Sequence, residues 1–201
     1  MKKQATTSIK LTSMKLLIGL LATGGTFTAP RALSSTQTQE ARDTHGYKDF
    51  HDRIEEYEKL HKNAEKSLPR LKKTSKQEVI AAQQEALVQK VRELRSNARQ
   101  GDIFTPAARE EIARKIKVVY TGADAHRVQN TIQAGDPLAG FKVEVNQKYP
   151  DGLTSTTVPP TLLQKLPELP DEVTYRILGS TLLLVDRKAN LIIDFMPNAI
   201  P

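Results

Sequence analysis

Cysteine and tryptophan are absent from this 201-residue chain, and aromatic residues make up only 5% of it. Without cysteine there is no disulfide framework, no thiolate metal site, no thiol nucleophile and no cysteine-linked lipid. An exported product would therefore rest on its core alone. Few aromatics and no tryptophan argue against a stacking platform for sugars or single-stranded nucleic acid. The G-x-S-x-G, H-E-x-x-H, G-x-G-x-x-G and P-loop spacings do not occur, and S-x-x-K is not found outside the first 34 residues. No acidic residue precedes Glu40.

That last absence marks out the start of the chain. Lys2, Lys3, Lys10 and Lys15 precede the apolar run Leu16-Leu17-Ile18-Gly19-Leu20-Leu21-Ala22. A basic segment, a short apolar segment and then small residues describe a secretory signal peptide. Ala32 and Ser34 supply small residues at the −3 and −1 positions, which predicts cleavage near Ser34 and a signal peptide over residues 1–34. The competing reading is an uncleaved anchor, but the apolar run is shorter than the roughly 20 residues of a spanning helix. The expectation is export to the periplasm or the exterior, with no stable membrane span after cleavage.

Charge follows from this division. The chain carries 30 basic and 23 acidic residues, a formal +7. Five of the basic ones (the four lysines and Arg31) belong to the signal segment, leaving 25 against 23, or +2. The basic excess is thus mostly a targeting property, and no nucleic-acid partner is expected.

Residues 35–46 are polar and without periodicity, which predicts a flexible leader. Tyr47, Phe50, Ile54, Tyr57, His61, Ala64 and Leu68 then recur at alternating gaps of 3 and 4, one stripe of a helix that Pro69 ends. The stripe suits either a homodimeric coiled coil or half of an intramolecular hairpin. The hairpin is preferred because a partner helix follows at once. Ser75 and Glu78 have capping-box spacing, and Ile80, Leu87, Val91 and Leu94 give that partner an apolar face. An antiparallel pairing sets Phe50, Ile54 and Tyr57 opposite Val91 and Leu94. It also brings the acidic start of the first helix (Asp49, Asp52, Glu55, Glu56, Glu58) beside the basic end of the second (Arg92, Arg95, Arg99).

Lys62, Lys66, Arg70, Lys72, Lys73 and Lys76 lie at the looped end, either as a solvated turn or as a contact for an anionic polymer. Thr105 and Pro106 read as N-cap and first residue of a third helix with Ile112, Ile116, Val119 and Tyr120 on one face. Ala125, Val128 and Ile132 suggest a further short helix, so residues 47–135 form a helical region.

Residues 136–201 read as a small antiparallel β region with a short helix. Phe141, Val143 and Val145 alternate with polar residues, the pattern of a half-buried strand. Pro160 opens a short helix with Leu162, Leu163 and Leu166 on one side; the Pro-rich segment around it is a packed connection or a docking arm. Three apolar runs then follow: Tyr175–Leu178, Thr181–Val185 and Leu191–Phe195. They predict a meander whose middle strand is covered on both faces. Strand alternation puts Leu191, Ile193 and Phe195 on one face and Ile192 and Asp194 on the other, with Asp194 in solvent and Asp186 in a turn.

The predicted fold is α+β: a helical hairpin and additional helices followed by an antiparallel sheet of about four strands. His51 with Glu55, and His61 with Glu65, have metal-compatible i,i+4 spacing, but no third ligand is evident. No catalytic, cofactor-binding or metal-ligating residue is assigned, and no cofactor is expected. The junction Arg99-Gln100-Gly101-Asp102-Ile103-Phe104-Thr105-Pro106 and the ending Ala189-Asn190-Leu191-Ile192-Ile193-Asp194-Phe195-Met196-Pro197-Asn198-Ala199-Ile200-Pro201 resemble an uncharacterised group of exported bacterial proteins. That resemblance implies the same architecture and bacterial export, and carries no activity. The expected function is a non-enzymatic binding or scaffold protein of the cell envelope, its partner a protein or an envelope polymer. The alternative is an exported hydrolase whose site is assembled from scattered residues.

Overall fold

A computed structural model describes residues 35–70, 75–122, 141–150 and 158–201, with side chains from residue 45 onward. The predicted signal peptide and the helix suggested by Ala125, Val128 and Ile132 lie outside the described residues. The compact unit spans Ser34–Pro201. Its elements are α1 (Ser35–Ser67), α2 (Gln77–Leu94), α3 (Pro106–Thr121), a four-residue turn of helix α4 (Pro160–Leu163), and strands β1 (Val173–Leu178), β2 (Thr181–Asp186) and β3 (Leu191–Met196). The fold is mixed α+β, with helices packed on one antiparallel sheet of order β1-β2-β3.

The sheet is a meander. Gly179 (φ 56°) turns β1 into β2, a left-handed position that costs glycine nothing. Val173, Tyr175 and Ile177 of β1 pair with Asp186, Leu184 and Leu182 of β2, and all six sit on the inner, helix-facing side. Leu183 and Val185 point outward. The middle strand is buried on both faces, as its sequence predicts.

The third strand departs from simple alternation. Leu184 pairs with Asp194 while Val185 pairs with Ile192, so Ile193 is an extra residue, a β-bulge. Leu191 and Ile193 face the inner core, but the bulge shifts every later side chain by one. Phe195 therefore joins Ile192 on the outer face, and Asp194 turns inward, against the expectation for both.

A fourth strand does not form among the described residues. Residues 141–150 make a single bridge, Lys148 to Leu191, and otherwise run as a strap along β3. Asn146 (φ 63°) breaks the extended conformation, and its N–H donates to Ile192 O (2.8 Å), while Tyr149 N–H donates to Asn190 O (2.8 Å). The alternation of Phe141 and Val143 reflects their half-burial over the outer face, beside Leu183, Val185, Ile192 and Tyr149. Apolar side chains fully covered in this way contribute ~1.5–3 kcal/mol each before entropy is subtracted.

On the inner face lie the helices. The stripe of α1 is buried within the chain: Phe50, Ile54, Tyr57, His61 and Ala64 are all at most 4% exposed. The stripe is thus part of the chain's own core. α1 begins at Ser35, so residues 35–46, read as a leader, belong to the helix. No proline interrupts them, and residue 46 is packed rather than free. A Cβ on Gly46 would lie 2.7 Å from the carbonyl oxygen of Ala107 in α3. Glycine lets the two helix backbones touch. Alanine normally favours a helix interior by ~1 kcal/mol over glycine, yet Gly46→Ala is expected to destabilise by ~1–3 kcal/mol, because overpacking against backbone outweighs propensity. Urea unfolding of the variant measures the sign.

The partner of the first half of α1 is α3, not the end of α2. Phe50 packs on Phe104 (5.8 Å between centroids), and Asp49 accepts from Thr105 Oγ1 (2.5 Å). Thr105 also caps α3, accepting from Ala108 N–H (3.4 Å), with Pro106 at the first position as predicted. α2 runs antiparallel to α1, since Gln83 reaches Pro69 while Arg95 lies over Tyr57. Leu94, expected opposite Phe50, is 45% exposed. The acidic residues of α1 pair within their own helix (Asp52 with Lys48, Glu55 with Lys59, Glu56 with Arg53, Glu58 with Lys62) instead of across the hairpin. With the helix beginning at Ser35, these acids lie mid-helix and no longer meet its dipole. The capping box does not form: α2 starts one residue late, with Lys76 at the N-cap and no side-chain cap. In α4 only Leu162 and the following Leu166 turn inward, and Leu163 is half exposed.

Candidate functional site

Among the described residues, five polar or charged side chains are buried: His61, Arg95, Glu111, Asp186 and Asp194. All except Glu111 gather between α1, the end of α2 and the sheet. Asp186 closes β2 and faces inward at its end. Its Oδ1 accepts from the N–H groups of Lys188 (2.9 Å) and Ala189 (2.8 Å), which fixes the β2–β3 turn. Its Oδ2 accepts from Tyr57 Oη and meets His61 Nδ1 at 2.6 Å. Both partners come from the α1 stripe, one turn apart. The stripe therefore carries a polar pair through the core, and the strand end supplies the anion.

Burial disfavours charge on these groups, but contacts reverse it for two of them. Burial alone would raise the carboxyl of Asp186, yet the hydrogen bonds from His61, Tyr57 and Ala189 N–H hold it below its ordinary range. Burial would lower His61, and the bond to Asp186 together with its charge raises it instead. Tyr57 is pushed well above the ordinary phenol value by burial first and then by Asp186, so its hydroxyl stays protonated and donates.

The linkage gives a pH window. Asp186, lowered, contributes stability that is present above 3.8 and is lost as pH falls through its folded value. His61, raised, contributes stability present in full below 6.5 and lost as pH rises through its folded value. The stability gap between the native chain and His61→Gln is thus expected to narrow above pH 6.5, as paired unfolding curves would show.

A chain of charges leads from this pair to the surface. His61 Nε2 has no hydrogen-bond partner but lies 3.6 Å from Glu65 Oε1. The same Glu65 oxygen binds Lys188 Nζ at 2.9 Å. Glu65 and Lys188 in turn line an open groove of about 680 Å³ between the end of α1 and the start of α2. Leu68, Pro69, Ile80 and Leu87 give it apolar walls, and Lys66 and Arg70 stand at its rim.

Asp194 has a separate task. Oδ1 accepts from Gly101 N–H (2.8 Å) and Phe195 N–H (2.8 Å), and Oδ2 from Ile103 N–H (2.8 Å) and Phe104 N–H (2.7 Å). One carboxylate thus organises the loop that leads into α3. Burial raises its pKa, with the four amides opposing. Arg95, the C-cap of α2, donates through Nη2 to Ile193 O (2.8 Å), the carbonyl of the bulge residue, and through Nη1 to Asn146 Oδ1 (3.2 Å). Its guanidinium also lies 5.1 Å over the Tyr57 ring, a cation–π contact.

The metal-compatible pairs do not converge. His51 is exposed and His61 is buried on Asp186, and among the described residues no group of three potential ligands is present. Sequence reading missed Asp186 and Asp194 because it treated one as a turn residue and the other as solvent-facing. A signal for Asp186 was available: aspartate before a turn commonly accepts from the N–H groups two and three residues on. The histidine inside an otherwise apolar stripe was the second.

No helix among the described residues is long and apolar enough to cross a membrane. No protein-family model, curated protein or solved structure matches the chain.

Proposed function

We propose that this is an exported bacterial protein acting as a non-enzymatic binding or scaffold component of the cell envelope. Export rests on the basic, then apolar, then small-residue pattern of residues 1–34. The observation that carries the binding reading is where the ionisable groups are used. Tyr57, His61, Arg95, Asp186 and Asp194 are all less than a tenth exposed and hold helices to strands. The groove between α1 and α2 instead offers apolar walls and exposed cations, a surface for contact rather than for proton transfer. Affinity capture with the full chain from an envelope fraction tests this. The expected result is one enriched species and no turnover of ester, amide, phosphate or glycoside substrates.

A hydrolase is the second reading, and one observation favours it. Asp186 orients His61 as a carboxylate orients a general base, with Nε2 left without a hydrogen-bond partner. The pair is nonetheless fully buried, and the hydroxyl bonded to it among the described residues, that of Tyr57, donates to the same carboxylate oxygen. Turnover that disappears in His61→Gln while the variant remains folded would replace the binding reading with this one.

A further inference from the structure

We propose that the groove between α1 and α2 binds a single-chain anionic amphiphile, a free fatty acid, with its acyl chain on the apolar walls and its carboxylate at the rim. The inference rests on the binding reading above and names the ligand of that site. The groove volume of about 680 Å³ falls in the ~300–1,000 Å³ range of small-molecule sites. Its walls are tied in place from both sides. Gln83 Nε2 donates to Pro69 O (3.0 Å) at the end of α1, and Gln84 Nε2 donates to Lys188 O (3.0 Å) in the β2–β3 turn. A groove bridged by two amides in this way suits a narrow chain better than a partner helix.

Apolar character comes from Leu68, Pro69, Ile80 and Leu87, and Ile80 is 45% exposed. Among the described residues lining the groove, cations outnumber carboxylates: Lys66, Arg70 and Lys188 against Glu65. Among the described lining residues Glu65 is the single carboxylate, and Lys188 already compensates it at 2.9 Å. Lys66 at the end of α1 and Arg70 just beyond it are exposed and make no ion pair among the described residues, in contrast to Lys48, Lys59 and Lys62 of α1. Two free cations beside an apolar trough match a carboxylate head on an alkyl tail. They do not match a neutral or cationic amphiphile.

Calorimetric titration of the full chain with octanoate, decanoate and dodecanoate, each below its micellar concentration, tests the assignment. Affinity is expected to rise about fourfold per methylene until the trough is filled. Dodecanoate should bind about tenfold more tightly than dodecanol and more tightly still than dodecylamine. The double variant Lys66→Gln, Arg70→Gln changes only exposed side chains and so stays folded. It should bring dodecanoate down to the affinity of dodecanol and leave dodecanol unchanged. Ile80→Asp should weaken both. Equal binding of acid, alcohol and amine, or no binding of dodecanoate, overturns the proposal. So does tight binding of an acidic amphipathic peptide without dodecanoate. An envelope partner captured equally by the native chain and the double variant would leave the binding function standing while refuting this ligand; loss of both would remove the two together.

Discussion

Asp194→Ala is expected to lower the unfolding free energy by about 3–5 kcal/mol, among the largest effects of any single substitution in this chain. Four backbone amides, those of Gly101, Ile103, Phe104 and Phe195, lose their acceptor at once. Each buried donor left unpaired costs ~1–3 kcal/mol, and part is regained because a buried carboxylate is no longer desolvated. Asparagine offers a sharper control. Each carboxylate oxygen accepts from two amides, so the NH2 group introduced by Asp194→Asn would confront two donors whichever way it turned. That substitution should therefore rescue little. Its damage should appear locally, as faster hydrogen exchange at Ile103 and Phe104, ahead of global unfolding.

Asp186→Ala should cost a similar ~3–5 kcal/mol, for a different reason: it strands a charge. His61 would keep its burial and lose the partner that raises it. With desolvation unopposed by Asp186, its pKa is expected to fall from above 6.5 toward or below that value. Tyr57 Oη and the N–H groups of Lys188 and Ala189 would be unsatisfied in the same stroke. Nitrogen-15 titration of the histidine ring reads the change in His61 directly. An unmoved His61 pKa in a folded variant would mean that Glu65 alone governs the ring.

Much of the architecture is written in periodicity. The alternating gaps of 3 and 4 along α1 predict the stripe that is buried, and the Thr105-Pro106 start of α3 behaves as its chemistry requires. The two-sided apolar run Leu182–Val185 marks the central strand. What periodicity does not carry is a change of phase. The bulge at Ile193 inserts one residue, and everything after it changes face, so Asp194 enters the core on a pattern that assigns it to water. Pairing partners are likewise a three-dimensional choice. Gly46 lets α1 meet α3 closely, which moves Phe50 to Phe104 and leaves Leu94 at the surface. Phe141 and Val143 alternate because one side of a strap is covered; alternation alone does not specify ladder hydrogen bonds, and the strap's backbone bonds to β3 begin only at Asn146.

In the buried cluster, acid, histidine, phenol and guanidinium tie elements of the fold together. Perturbed titration marks functional sites only as a probability, since structural ion pairs perturb pKa values as well. In this chain Asp186 joins α1 to the β2–β3 turn, Asp194 joins β3 to the start of α3, and Arg95 joins α2 to the bulge. Each polar side chain links elements distant in sequence, which is a structural task.

The most direct test of that account is a double-mutant cycle on His61→Gln and Asp186→Asn, read by urea unfolding at pH 6. If the two residues form one buried pair, each single variant leaves the other charged or unsatisfied. The double variant should then lose at least ~1 kcal/mol less than the sum of the single losses. Additive losses, or single variants as stable as the native chain, would contradict it.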